Sequence, residues 1–126
     1  MSVNDKQVGG THYTHQSYQH WDFAVDIAGN DFYLKGCASK YVVRYKDKNG
    51  IEDLRKALHY LEKIEDKGYS SESSINSDVD TMWVLDRFTS QLEPKIRSIV
   101  VNIYSNDIAT AKAEIEELMN DCNRHE

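Results

Sequence analysis

Proline is almost absent from this 126-residue chain: the one example, Pro94, is the single point at which it would break or kink a helical run. Cysteine is nearly as scarce. Cys37 and Cys122 are far apart and lack metal-type spacing, so reduced thiols in a cytosol are expected rather than a disulfide framework. No apolar run approaches the ~20 residues needed to span a bilayer, which argues against a membrane-embedded helix. The opening Met1-Ser2-Val3-Asn4-Asp5-Lys6 has no apolar segment behind a basic one, so no secretory signal is expected and the cytoplasm is the expected location. Dense Lys/Arg clusters are also missing. Residues 1–68 balance ten Lys/Arg against ten Asp/Glu, and 69–126 carry five against eleven, so the whole net charge of −6 is C-terminal. That distribution argues against a broad nucleic-acid surface, while a few convergent cations still suit a small phosphorylated ligand. Neither Gly-x-x-x-x-Gly-Lys-Ser/Thr nor Gly-x-Gly-x-x-Gly occurs, so any phosphate site must rely on side chains.

Helical periodicity is what the chain does have. Residues 1–19 are polar and rich in His, Gln and Tyr without a clean period, and read as an N-terminal arm. Residues 20–67 read as a small helical domain of three helices. The first runs over Trp21 to Gly29, with Trp21, Ala24, Val25 and Ala28 on one side. The second runs from Asp31 or Phe32 to Tyr45 and packs Leu34, Ala38, Tyr41, Val42 and Tyr45. The third, Ile51 to Asp66, has the seam Ile51, Leu54, Leu58, Leu61 and Ile64. Gly50 stands where a glycine is expected just past a helix end. A Ser-rich stretch, 68–78, reads as a linker. Residues 79–126 read as an acidic amphipathic helical hairpin whose first arm is interrupted at Pro94. There is no internal repeat, and the β-branched cluster Ile99-Val100-Val101 is too brief to outweigh the helical spacing around it. The expected fold class is all-α: a small helical domain with an N-terminal arm, plus the C-terminal hairpin.

The polar chemistry concentrates on the second and third helices. Residues four apart share a helix face, so Gly36, Lys40 and Arg44 form one stripe of a missing side chain and two cations. An internal helical glycine costs ~1 kcal/mol relative to Ala, so it calls for a reason, and both tight packing and close approach of a ligand supply one. The plain alternative for the stripe is a solvated basic face. Asp53 and Glu52 in a first turn complement the helix dipole; Asp53 could instead orient Lys40 or Arg44, or hold a magnesium ion carried by phosphates. Tyr41, Tyr45 and Tyr60 read as core or rim aromatics, and Cys37 as apolar filler. His12, His15 and His20 near Asp22 have loose spacing for a metal. His12-Tyr13 better suits an arm closing over a pocket, with ordered surface as the alternative.

Taken together, His12-Tyr13, Trp21-Asp22, Gly36-x3-Lys40-Tyr41-x2-Arg44-Tyr45-x2-Lys48 and Asp53-Leu54-x-Lys56-Ala57-x2-Tyr60-Leu61 resemble a small domain family of tailed phages whose members are often described as nucleotide kinases, related to the Walker-less nucleotide kinase of short-tailed coliphages. The resemblance spans about residues 9 to 67. It implies a helical, homo-oligomeric, nucleotide-binding protein of the host-cell cytoplasm, with His12, Tyr13, Gly36, Lys40, Arg44, Lys48, Lys56 and Tyr60 around the ligand. As a nucleoside monophosphate kinase, the protein would use Lys40, Arg44 and Asp53 in catalysis with magnesium as cofactor. The alternatives are a non-catalytic sponge sequestering a host immune signalling nucleotide, and an interaction protein acting through the acidic hairpin. Two departures stand out: Cys37 replaces the asparagine common after the family's glycine, and the acidic segment after residue 68 has no counterpart in the coliphage kinase.

Overall fold

A computed structural model describes residue 3, residues 17–68 and residues 79–124. Among these, the chain forms six α-helices and no strand: α1 (His20–Ala28), α2 (Phe32–Arg44), α3 (Ile51–Lys67), α4 (Val79–Thr89), α5 (Pro94–Tyr104) and α6 (Ile108–Arg124), with a 3-10 turn at Tyr45–Asp47. The all-α expectation holds. The arm residues His12, Tyr13 and His15 and the linker at 69–78 lie outside the described residues.

Local chemistry sets the helix ends. The Asp22 carboxylate accepts the Gln19 N–H at 2.9 Å and so caps the start of α1. Gly68 closes α3 at φ 75°, a left-handed conformation that a Cβ would penalise, and its N–H donates to the Ile64 carbonyl at 3.2 Å. Pro94 occupies the first turn of α5, where its missing N–H costs nothing. It therefore interrupts the apolar run by starting a new helix, and Ile99-Val100-Val101 lies inside that helix.

Helices α2 and α3 form the most intimate pair, and the α5–α6 hairpin lies across them, α5 on α2 and α6 on α3. One core joins both halves: Leu34, Ala38 and Val42 of α2 and Leu54, Leu61 and Ile64 of α3 meet Ile99 and Ile103 of α5 and Ala111 and Ile115 of α6, all fully buried. Helix α1 packs on α2 and contributes Val25. It is too short to seal its whole apolar side, and Ala28 is exposed. Helix α4 packs on α5 and leaves Met82, Trp83, Val84 and Phe88 in solvent. No helix of the described residues is long and apolar enough to cross a membrane.

Buried ion pairs tie the helices together. Lys63 Nζ of α3 lies 2.7 Å from Asp22 Oδ1 of α1. Lys35 of α2, fully buried, sits 3.0 Å from the fully buried Asp31 and donates to Asn106 Oδ1 in the α5–α6 turn. At the surface, Lys112 Nζ meets Glu65 Oε1 at 2.7 Å across α6 and α3.

Candidate functional site

The periodicity of α2 places Lys40, Tyr41 and Arg44 on adjoining parts of one surface, and α3 brings Lys56 alongside. The result is three cations around one ring. Lys40 Nζ lies 4.8 Å, Arg44 Cζ 4.7 Å and Lys56 Nζ 5.5 Å from the centre of the half-buried Tyr41 ring. Like charges repel at such range. The negative face of the ring offsets part of that repulsion, by about 0.5–1 kcal/mol for each exposed cation.

Behind Tyr41 runs an aromatic ladder. Tyr60 of α3 stacks on Tyr41 with ring centres 5.9 Å apart and planes inclined by 22°. Trp21 of α1 stands edge-on to Tyr60 at 5.7 Å and to His59 at 5.0 Å. Lys63 Nζ sits 4.9 Å over the Trp21 ring, so the ladder has a cation at each end. Burial pushes the Tyr60 hydroxyl above its ordinary value. His59 is buried, and its Nε2 lies 3.1 Å from the Val3 carbonyl.

Asp53 holds one cation in place. Its side chain is fully buried, with Oδ1 accepting from Arg44 Nη2 at 3.2 Å and Oδ2 accepting from Arg44 Nε at 3.3 Å and from the Asn49 N–H at 3.2 Å. Burial alone would raise the Asp53 pKa, but the Arg44 and Asn49 hydrogen bonds outweigh it and hold the carboxyl below its ordinary value. Arg44, a third exposed, is thereby fixed with its remaining donors toward solvent. Of the two sequence roles for Asp53, the geometry fits orienting Arg44. The carboxylate is buried and turned to the guanidinium and the Asn49 N–H rather than to an open metal position. Asp22, the carboxylate near His20, is taken up by Lys63, Lys67 and the Gln19 N–H. Among the described residues, no three His, Cys, Asp or Glu side chains converge as a metal site.

Gly36 lies one turn before Lys40. A Cβ built there meets nothing within 4 Å, so tight helix packing is not its reason. Lys48 is exposed in the turn before α3, and Cys37 is half-buried. The structure thus brings together Lys40, Arg44, Asp53, Lys56 and Tyr60. What sequence reasoning missed is Tyr41 as the hub. The available signal was its position next to Lys40 and three residues before Arg44, but which helix supplies the third cation is a tertiary fact.

A family model described as a protein of unknown function (DUF3310) matches residues 9–62, a stretch that contains the whole cation cluster. No curated protein and no solved structure matches the chain.

Proposed function

We propose that this protein binds a nucleotide and holds its phosphates on Lys40, Arg44 and Lys56. The observation that carries the reading is the convergence of three cations from two helices on the Tyr41 ring, one of them locked by a buried carboxylate. Such a constellation offers several donors to one polyanion without a glycine-rich cradle, and phosphate binding relieves the mutual repulsion of the cations. The resemblance to the tailed-phage domain family supports the same assignment.

Within this reading, non-catalytic binding is favoured over phosphoryl transfer by the state of Asp53. Its oxygens are spent on Arg44 and Asn49 rather than open to a metal or to an attacking group. A kinase would need a carboxylate near the phosphates to help place magnesium. The test is titration of the protein with ATP and each deoxynucleoside monophosphate, then incubation of both with magnesium. Binding without diphosphate product supports the binder; diphosphate formation makes the protein a nucleoside monophosphate kinase. Lys40→Ala and Arg44→Ala are each expected to weaken binding at least tenfold. Unchanged affinity in both sinks the site.

A further inference from the structure

Outside the residues matched by the family model, helix α4 and the hairpin build a second feature beside the cation stripe. Between α4 and the α2/α5 surface lies a cavity of about 300 Å³. Val84, Leu85 and Phe88 of α4 form one side, Val100 and Tyr104 of α5 the other, and Ser39 of α2 reaches it as well. The walls are largely apolar, yet Ser39 Oγ and Tyr104 Oη lie 3.1 Å apart, and Ser39 Oγ also donates to the Gly36 carbonyl at 3.1 Å. Hydroxyls can turn to donate or accept, so the pair can serve either kind of polar atom on a ring edge.

Position along α2 links this cavity to the cations. Around the helix, Ser39 lies about 60° to one side of Gly36 and Lys40 about 40° to the other, and the three span about 6 Å along the axis. By angle Gly36 therefore stands between Ser39 and Lys40, and the space beyond its Cα is open. A side chain there would wall one off from the other. This gives the helical glycine a reason that packing does not.

Resting on the phosphate assignment above, we propose that the α4 cavity receives the uncharged ring portion of the same ligand, a heterocycle with its sugar, which passes over Gly36 to place its phosphates on Lys40, Arg44 and Lys56. The volume lies at the small end of the range for small-molecule pockets and suits one such unit. The exposed Val84 and Phe88 would then be covered by ligand. In this arrangement the family-matched stretch supplies the charge and Ser39, and the C-terminal segment supplies the rest of the ring pocket.

Calorimetric titration of the full chain with ATP, GTP, CTP and UTP, and with inorganic tripolyphosphate, tests this. At least one nucleotide is expected to bind tenfold or more tightly than tripolyphosphate. Val84→Glu and Phe88→Ser should each collapse that ratio toward one while leaving tripolyphosphate affinity unchanged, which also reports that the variants fold. Equal affinity of the wild type for all five probes overturns the proposal, as does an unchanged ratio in both variants. Dissociation of an oligomer in the variants with the ratio unchanged also overturns it and assigns the face to a second copy. The phosphate site is read separately through Lys40→Ala: if that variant weakens every probe while the α4 variants alter none, the phosphate assignment stands and the ring subsite falls. If Lys40→Ala weakens no probe, the phosphate assignment itself fails.

Discussion

Lys63 and Asp22, 41 positions apart in sequence, form a nearly solvent-free ion pair at 2.7 Å that fastens α1 to α3. The ammonium also sits over Trp21, and the other carboxylate oxygen accepts the Gln19 N–H. Removing Asp22 leaves the buried ammonium with the longer contact to the exposed Asp66 at 3.7 Å, so Asp22→Ala is expected to cost about 3 kcal/mol. The double variant Asp22→Leu/Lys63→Met should recover part of that loss. The remainder belongs to the orphaned Gln19 N–H, about 1–3 kcal/mol, and to the lost Lys67 contact. Urea unfolding of Asp22→Ala and of the double variant measures each quantity.

The Arg44–Asp53 pair should appear as a pH dependence. The Asp53 carboxyl titrates below its ordinary value of 3.8 in the folded protein, so its stabilisation is complete above that value. As pH falls through the lower native value the carboxylate protonates and the contribution is lost. Asp53→Asn should therefore be less stable at neutral pH and show a shallower loss of stability below about pH 4. An acid limb as steep as that of the wild type would show that other carboxylates dominate. Because a neutral amide cannot hold the guanidinium as an ion pair, nucleotide affinity should fall in the same variant.

Gly36 separates stability from binding. Alanine there meets no neighbour and improves helix propensity, so Gly36→Ala should stabilise the protein by about 0.8–1 kcal/mol. If the glycine keeps a path open for ligand, nucleotide affinity should fall even as the melting temperature rises, more so with a bulkier residue. A stabilised variant with undiminished affinity would remove Gly36 from the site.

The helices were legible because each buries a seam at helical spacing. Leu54, Leu61 and Ile64 were expected in the α3 seam and are fully buried. The Gly36, Lys40, Arg44 stripe was legible for the same reason, since four-residue spacing fixes a face whatever packs behind it. Lys35 and Lys63 were not legible as buried groups. Lysine is ordinarily solvated, and the partners that permit burial, Asn106 and Asp22, lie 71 and 41 positions away. Tyr41 as a hub escaped for the same reason, because Lys56 and Tyr60 reach it only when α3 folds back on α2. The α4 cavity needs three helices to exist at all.

Asn106 offers a case in which two effects compete and magnitudes decide. It is the only non-glycine residue with positive φ among the described residues, at 65°, so Asn106→Gly relieves backbone strain of about 1 kcal/mol. The same change removes the side-chain oxygen that accepts from the buried Lys35 ammonium. A hydrogen bond to a charged group contributes about 1.5–3 kcal/mol, so the loss should exceed the gain. Asn106→Gly is therefore expected to destabilise the protein by about 1 kcal/mol. In a Lys35→Met background no ammonium needs the oxygen, and the same substitution should become stabilising. The change of sign, read from a double-mutant cycle in denaturant, isolates the Lys35–Asn106 link; destabilisation of equal size in both backgrounds would mean that Asn106 acts through the turn alone.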